Sequence, residues 1–277
     1  MFLKREVIII MNKHLKHLLL TMCIFVFGFA LTGCGVATTT SVKISSATKA
    51  SCTVSIGFDN EALTKLAQAM DTTKAQLLKE LKKSDAKYTK KKLDGVEYHI
   101  FYSTIKNAKL SEIEKLLSNY GYTNVCVSPK YFFATLASKS KLNDAIFGAN
   151  NTNISVDDYS LYIGMKVTLD SKVNFTNGKV SNDGKTVSWV IKDSNKVTRL
   201  CASTTKVTRT AKSNSVVNGK TYKAGKKLTV ANPKSLAKMK LDGTAVKPGK
   251  AVTKKGTHKL IIWSKDGKVQ RVTFKIK

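Results

Sequence analysis

The sequence is short of acidic residues, proline and histidine. Of its 277 residues, 18 are Asp or Glu against 48 Lys or Arg, three are Pro and four are His. Only His99 and His258 lie beyond residue 34, each in a predicted strand without a nearby cysteine or acid pair. No G-x-S-x-G, H-E-x-x-H or phosphate-binding glycine loop is present. Asp157-Asp158 fits a loop end or helix cap better than acid-base chemistry. We therefore predict no enzyme activity and no cofactor.

Cysteine is also scarce, with five in the chain. Beyond Cys34 only Cys52, Cys126 and Cys201 remain, an odd number that cannot pair completely. One disulfide among them is conceivable, but each lies among apolar or β-forming residues, which favours buried free thiols. Without a C-x-x-C motif or a cysteine-histidine cluster, no metal site is predicted.

The chain has one long apolar run, Leu18 to Leu31, and it follows Lys13 and Lys16. The run is shorter than the roughly 20 residues of a membrane-spanning helix, and a basic segment before a short apolar core is typical of a secretory signal peptide. Met11 directly precedes the basic segment, so translation starts at either Met1 or Met11.

The end of this signal, Leu31-Thr32-Gly33-Cys34, resembles the lipobox of bacterial lipoproteins. The resemblance implies a signal peptide over 1–33, cleavage between Gly33 and Cys34, and a diacylglycerol on Cys34. The protein is then expected on the outer face of the cytoplasmic membrane, anchored by its lipid. The alternative is an ordinary signal peptide with an incidental cysteine. The Ser- and Thr-rich stretch after Cys34 is predicted to begin as a short spacer.

Positive charge is concentrated near the C-terminus. The chain carries a formal charge of +30, and residues 206–277 contain twenty Lys or Arg with only Asp242 and Asp266 as acids. A lysine-rich surface attracts polyanions without directional contacts. Outside a bacterial cell these are anionic lipid headgroups and wall polymers, so no nucleic acid partner is expected. The alternative is a solvated surface that only confers solubility. The predicted contact residues are Lys223, Lys226, Lys227, Lys254 and Lys255.

Periodicity changes along the first part of the chain. Residues 52–58 alternate as a strand, and the following segment predicts two short helices, the first capped by Asp59 or Asn60 and the second starting at Asp71. A strand over 96–102 precedes a helix that Ser111 can cap and Gly121 ends. The predicted helices do not alternate regularly with the strands, as they would in a doubly wound parallel sheet. This arrangement predicts an α+β domain over 34–204.

Residues 173–189 form the sharpest pattern of this region. The pairs Asn177-Gly178 and Asp183-Gly184 predict positive-φ turns, and Trp189 lies in the alternating strand that follows. The pattern V-x-x-x-N-G-K-V-S-x-D-G-x-T-V-x-W resembles the LppM-like domain of Gram-positive lipoproteins, over roughly Cys34 to Cys201. That resemblance implies an α+β domain that binds lipid or surface ligands and has no common catalytic centre.

From about residue 205 to the end, turn signals recur every 8–12 residues, which predicts a small all-β sandwich over 205–277. A terminal hairpin is expected around Asp266-Gly267, with Val272, Phe274 and Ile276 facing inward. The Asp-Gly turn and final V-x-F-x-I resemble the Ig-like repeats of Gram-positive surface proteins, which serve as spacers and binding modules.

Two functions follow from these features. The first is a membrane-anchored, non-catalytic binding or scaffolding lipoprotein for lipid or anionic envelope polymer. The alternative is an accessory subunit of a cell-envelope complex, docked on protein partners. Salt dependence separates the two, because lysine-polyanion contacts weaken steeply with ionic strength. The sequence leaves open the ligand, the oligomeric state and the relative orientation of the domains.

Overall fold

The computed structural model describes residues 34–136, 159–191 and 197–277. These residues are mostly β-strand, with three α-helices among them. The predicted signal peptide and Asp157-Asp158 lie outside the described residues. The finer division into an α+β domain over 34–204 and an Ig-like sandwich over 205–277 stays a prediction.

The described chain forms two compact units, each built from several segments. Segments 34–123, 136–167 and 188–198 contribute the described residues of the first, and 124–135, 168–187 and 199–277 those of the second. The elements up to residue 136 are β1 (Cys34–Ile44), β2 (Lys49–Phe58), α1 (Asn60–Ala69), α2 (Lys74–Lys82), β3 (Lys87–Leu93), β4 (Val96–Lys109), α3 (Leu110–Asn119), β5 (Tyr122–Ser128) and β6 (Tyr131–Leu136).

The remaining elements are short strands and one turn of 3-10 helix over Pro233–Ser235. The strands are β7 (Tyr159–Thr168), β8 (Phe175–Thr176), β9 (Lys179–Val180), β10 (Thr186–Ile191), β11 (Thr198–Ser203), β12 (Lys212–Ser213), β13 (Thr221–Tyr222), β14 (Lys226–Lys227), β15 (Val230–Ala231), β16 (Leu236–Leu241), β17 (Thr244–Ala245), β18 (Ala251–Val252), β19 (Gly256–Ser264) and β20 (Val269–Ile276).

The first unit contains the successive strands β3-β4-β2-β1-β7 of one sheet. Strands β1 and β2 pair antiparallel from Val36 opposite Phe58, and β2 pairs with β4 from Phe58 opposite His99. Helices α1 and α2 bury their leucines against this sheet. The shared core is Val36, Ile56, Phe58, Ala62, Leu63, Leu66, Ala67, Leu77, Leu81 and Phe101. Each fully buried Leu or Phe side chain stabilises the fold by about 1.5–3 kcal/mol.

Helix ends in the first unit follow capping chemistry. Asp59 caps α1 by accepting from the Ala62 amide, as predicted. The predicted start of α2 at Asp71 is wrong, because Asp71 has φ +48° and Thr73 forms the cap with Gln76. Ser111 does not cap α3, because the helix begins at Leu110 and Ser111 lies inside it. The Glu112 carboxylate accepts from the amide of Lys109, the N-cap residue.

The second unit contains the four-stranded sheet β5-β6-β11-β8 and the five-stranded sheet β13-β20-β19-β16-β17. The predicted terminal hairpin is confirmed, with Leu260 opposite Val272 and His258 opposite Phe274. Its inward residues share a core with Leu228 and with residues of β15, β16 and β18. That core is Ala211, Val216, Leu228, Val230, Met239, Val252, Leu260, Ile262, Val272, Phe274 and Ile276.

One predicted turn differs from expectation. Gly184 has φ +68°, but neither Asn177 nor Gly178 has a positive φ. The Asn177 side chain instead donates to the Arg199 carbonyl and accepts from the Cys201 amide, which fixes it to β11. Trp189 is buried, as predicted.

Candidate functional site

The predicted lysines of the C-terminal region meet along one pair of strands. Strands β14 and β18 are antiparallel, with Lys226 opposite Val252 and Lys227 opposite Ala251. Neighbouring strands lie about 4.8 Å apart, so residues flanking one strand lie beside residues flanking the other. We call the resulting surface the lysine edge. It consists of Lys223, Lys226, Lys227, Lys250, Lys254 and Lys255.

Backbone hydrogen bonds extend this register at both ends. The Gly225 amide donates to the Val252 carbonyl at 2.9 Å, which brings the residue before Gly225 towards the residues after Val252. The Leu228 amide donates to the Lys250 carbonyl, also at 2.9 Å. Five members of the edge are exposed and Lys226 is half-buried. The strand pairing therefore brings the predicted contact lysines close together along β14 and β18, with Lys226 and Lys227 extending to opposite faces of the strand pair.

Lys250 is a member of the edge that the sequence-based prediction missed. It ends the turn Lys247-Pro248-Gly249-Lys250, in which the Lys250 amide donates to the Lys247 carbonyl and Gly249 has φ +92°. Proline followed by a positive-φ glycine is the signature of a type II turn. That turn signature was readable in the sequence, whereas the place of Lys250 beside Leu228 depends on the pairing of β14 with β18.

Two contacts with the core hold the edge in place. The Lys226 ammonium lies 5.0 Å from the centroid of the Tyr222 ring, and that ring packs edge-on against buried Phe274. A cation over an aromatic face is stabilised by about 0.5–1 kcal/mol at an exposed position. The Lys254 carbonyl accepts from His258 Nε2 at 2.7 Å. Both ends of the edge are thus tied to the same core strands, β19 and β20.

His258 is buried and hydrogen-bonded through both ring nitrogens. Its Nδ1 lies 2.7 Å from Asp242 Oδ2, and its Nε2 faces the Lys254 carbonyl. A carboxylate and a carbonyl only accept, so both nitrogens donate when the imidazole is protonated. The hydrogen bond with Asp242 raises the pKa of His258, although burial opposes the shift.

The two acidic residues of this region form their hydrogen bonds outside the lysine edge, although the charge of Lys254 also acts on Asp242. Asp242 is engaged by His258, and Asp266 accepts from Thr210 Oγ1 at 2.7 Å. Within the part of the chain that the structure describes, no ion pair involves a lysine of the edge. Like charges on neighbouring strands raise the local positive potential, which favours a bound polyanion.

A second basic surface lies on the outward face of β16, β19 and β20. Lys259 is opposite Thr273, Lys275 is opposite Thr257, and Lys240 is opposite Ile261. Lys259 and Lys275 are exposed, and Lys240 is half-buried. These three residues alternate with the core residues of the same strands, so they face away from the core.

Of the predicted lipidation and cleavage residues, Gly33 lies outside the described residues, whereas the backbone of Cys34 begins β1. Both stay predictions. In the described ranges no helix is long and apolar enough to cross a membrane.

The remaining candidate residues have core roles. Cys52, Cys126 and Cys201 are buried free thiols, as favoured by the sequence, and burial raises the pKa of Cys52 to about 12. His99 is buried and bonded through both nitrogens, to the Tyr88 hydroxyl at 2.8 Å and to Asn60 Oδ1 at 3.3 Å. Among the residues described, no group of three or more His, Cys, Asp or Glu side chains could hold a metal ion.

Comparison with known proteins finds only distant structural similarity. No family model matches the chain, and no curated protein matches it. The solved folded domain of LppM from Mycobacterium tuberculosis aligns with 12% identity and a TM-score of 0.34, covering 64% of this chain and 92% of that domain. The Ig-like resemblance stays a prediction.

Proposed function

We propose that this protein is a lipid-anchored envelope protein that binds a phosphate-rich anionic polymer through the lysine edge. The observation that carries the proposal is the gathering of six lysines along β14 and β18, with Asp242 and Asp266 engaged elsewhere. The anchor is the diacylglycerol predicted on Cys34. Attachment to a wall polymer at one point and to the membrane at another is a scaffolding role, and it requires no catalytic residue.

Exposed lysines on an open surface suit a polymer better than a small ligand. Lysine ammonium groups are flexible point charges that follow a chain of phosphates without a fixed geometry. Each lysine near an anionic surface contributes about 1 kcal/mol at physiological salt, so several in a row are needed for measurable affinity. The edge presents such a row, on strands held by the core.

The test is binding of a synthetic poly(glycerol phosphate) to the purified protein at several salt concentrations. We expect the binding constant to fall steeply as salt rises, because bound polyanion releases counterions. The triple variant Lys223→Gln, Lys227→Gln, Lys255→Gln should bind about 100-fold more weakly, at roughly 1 kcal/mol for each lysine, with a shallower salt dependence.

The matched control removes the same charge from the second basic surface, through Lys240→Gln, Lys259→Gln and Lys275→Gln. This variant should retain most of the affinity, because only overall charge has changed. Equal losses in both variants would mean that binding depends on net charge and not on the lysine edge. Binding that is insensitive to salt would contradict a polyanion site and favour docking on a protein partner.

A further inference from the structure

The residue that follows Cys34 is fixed to the fold. The Gly35 amide donates to Asp59 Oδ2 at 2.8 Å, and the Asp59 amide donates to the Gly35 carbonyl at 3.1 Å. Asp59 also caps α1, so its carboxylate is held by two backbone amides. A Cβ on Gly35 would lie 2.4 Å from Asp59 Oδ2 and 2.9 Å from the Tyr98 hydroxyl, which explains the glycine at this position.

No spacer separates Cys34 from the folded unit. The predicted spacer after Cys34 is wrong, because Cys34–Ile44 is a single strand and its residues pair with β2 from Val36 onward. Consecutive Cα atoms are 3.8 Å apart, so a lipid on Cys34 lies within a few ångströms of buried Gly35. An anchor this short limits which end of the sheet can meet the membrane.

The register identifies that end. Val36, Phe58, His99 and Lys90 lie in one row across β1, β2, β4 and β3. Cys34 is two residues beyond this row, and Val96 is three residues beyond it on β4. At about 3.3 Å per residue, the turn between β3 and β4 extends about 3–7 Å further than Cys34. We call residues 93–96 the hairpin tip.

The hairpin tip has the composition of an interfacial contact. Asp94 and Gly95 have φ +51° and +86°, which gives a tight two-residue turn that projects from the sheet. Val96 is 44% exposed, one of few large apolar side chains that the described chain leaves in solvent. Lys91 and Lys92 are exposed on the adjoining strand, and Lys90 is paired with Glu97 at 2.9 Å. Exposed Val96 and the neighbouring lysines match the apolar and phosphate layers of a phospholipid surface, with Asp94 as the single acidic residue of the tip.

We propose that the first unit docks directly on the bilayer through the hairpin tip, with Val96 at headgroup depth and Lys91 and Lys92 on lipid phosphates. This inference rests on the Cys34 anchor of the proposed function and adds an orientation to it. The long axis of β1 then points away from the membrane. Its far end, at the turn 45–48, is about 35 Å from the surface for an eleven-residue strand.

The experiment measures depth with tryptophan substitutions in the full, lipid-modified protein. Val96→Trp places an indole at the hairpin tip, and Ala47→Trp places one in the exposed far turn, with Trp189 and Trp263 as a background common to both. The proteins are reconstituted in phosphatidylcholine-phosphatidylglycerol vesicles with brominated acyl chains. We expect the added emission at position 96 to be quenched several-fold more than at position 47. Equal quenching, or none at either position, would overturn the proposal.

A linker variant tests whether the short anchor causes the docking. Eight Gly and Ser residues inserted between Cys34 and Gly35 span about 15 Å, so vesicle binding should persist while quenching at position 96 falls. Quenching that survives the linker would refute the role of the short anchor. Flotation with the vesicles is measured on every sample. A parent protein that does not float refutes the anchor itself, whereas floating without selective quenching refutes only the docking.

Discussion

The two buried histidines, His99 and His258, have pKa values shifted in opposite directions. His99, in the first unit, bonds the Tyr88 hydroxyl and Asn60 Oδ1, while His258, in the second, bonds the Asp242 carboxylate and the Lys254 carbonyl. Burial together with the charge of Lys90 lowers the pKa of His99, and the hydrogen bond with Asp242 raises the pKa of His258. Similar burial therefore accompanies a lowered pKa at His99 and a raised pKa at His258.

The partners of His99 define its tautomer. Lys74 Nζ donates to Asn60 Oδ1 at 3.3 Å, so this oxygen is an acceptor and His99 Nε2 must donate to it. Nδ1 then accepts from the Tyr88 hydroxyl. A proton on Nδ1 would require the Tyr88 hydroxyl to change from donor to acceptor, and it would add a charge near lysines. The contrast with His258 shows that the direction of the pKa shift of a buried histidine depends on its surroundings, since His258 bonds a carboxylate and His99 lies near lysines.

Removing the carboxylate that pairs with His258 should have the largest effect. Asp242→Asn keeps the side-chain shape and suits the positive φ of +49° at this position. It removes the charge, and we expect a loss of about 2 kcal/mol in the free energy of unfolding, within the range for hydrogen bonds to charged groups. Urea unfolding at pH 6 measures it.

The matched control is Asp94→Asn, the same substitution in another Asp-Gly turn with φ +51°. Asp94 contributes no partner to His99, whose nitrogens are occupied by Tyr88 and Asn60. We expect the control to change the free energy of unfolding by under about 0.5 kcal/mol. If both variants lose the same amount, the charge on Asp242 contributes nothing beyond its role in the turn.

The second prediction removes the hydrogen bond between Tyr88 and His99. Tyr88→Phe leaves His99 Nδ1 without its donor, at a cost of about 1 kcal/mol in the free energy of unfolding. The hydrogen bond favours the neutral form, so its loss should also move the pKa of His99 upward. Nuclear magnetic resonance titration of the imidazole measures this. An unchanged titration would mean that burial and the nearby charges set the pKa without a contribution from this hydrogen bond.

The third prediction concerns stability against pH. The raised pKa of His258 gives stability that is full below about pH 6.5, the pKa of a free imidazole, and is lost as pH rises through the folded value. His99 has the opposite sign, because its lowered pKa gives stability that is full above about pH 6.5 and is lost as pH falls through the folded value.

Single variants separate the two contributions. The free energy of unfolding is measured from pH 4 to pH 9. In His258→Gln its decline at alkaline pH should disappear, and in His99→Gln its decline at acid pH should become smaller. The two histidines are distinguished because each variant changes only one limb of the profile. A parallel vertical shift over the whole range in either variant would show that the residue affects packing and not proton binding.

Much of the fold could be predicted from the sequence where one period dominates. The terminal hairpin around Asp266-Gly267 and the Asp59 cap of α1 are examples, because alternation and a capping side chain act over a few residues. The predicted turn at Asn177-Gly178 failed for a different reason. The Asn177 side chain is recruited by residues of β11 more than twenty positions away, and no local pattern contains that contact.

The lysine edge was predictable only in part. Net charge identified Lys223, Lys226, Lys227, Lys254 and Lys255, but their proximity depends on the pairing of two-residue strands that carry no periodic signal. Lys250 had a local signature in its Pro-Gly turn. The fixed position of Gly35 was not predictable. The small and polar residues that follow the predicted lipobox are as compatible with a flexible spacer as with a β-strand.

The smallest expected effect concerns the lysines around His99. Lys90 is exposed and lowers the pKa of His99 by charge alone, while its partner Glu97 raises that pKa. Lys90→Gln should therefore raise the pKa of His99, and the change should shrink in high salt, because salt screens exposed charges. Lys79→Gln, an exposed lysine of α2, serves as the control for general charge. The same rise in both variants would assign the effect to net charge, whereas a rise confined to Lys90→Gln would show that the neutral state of His99 depends on a nearby cation as well as on burial.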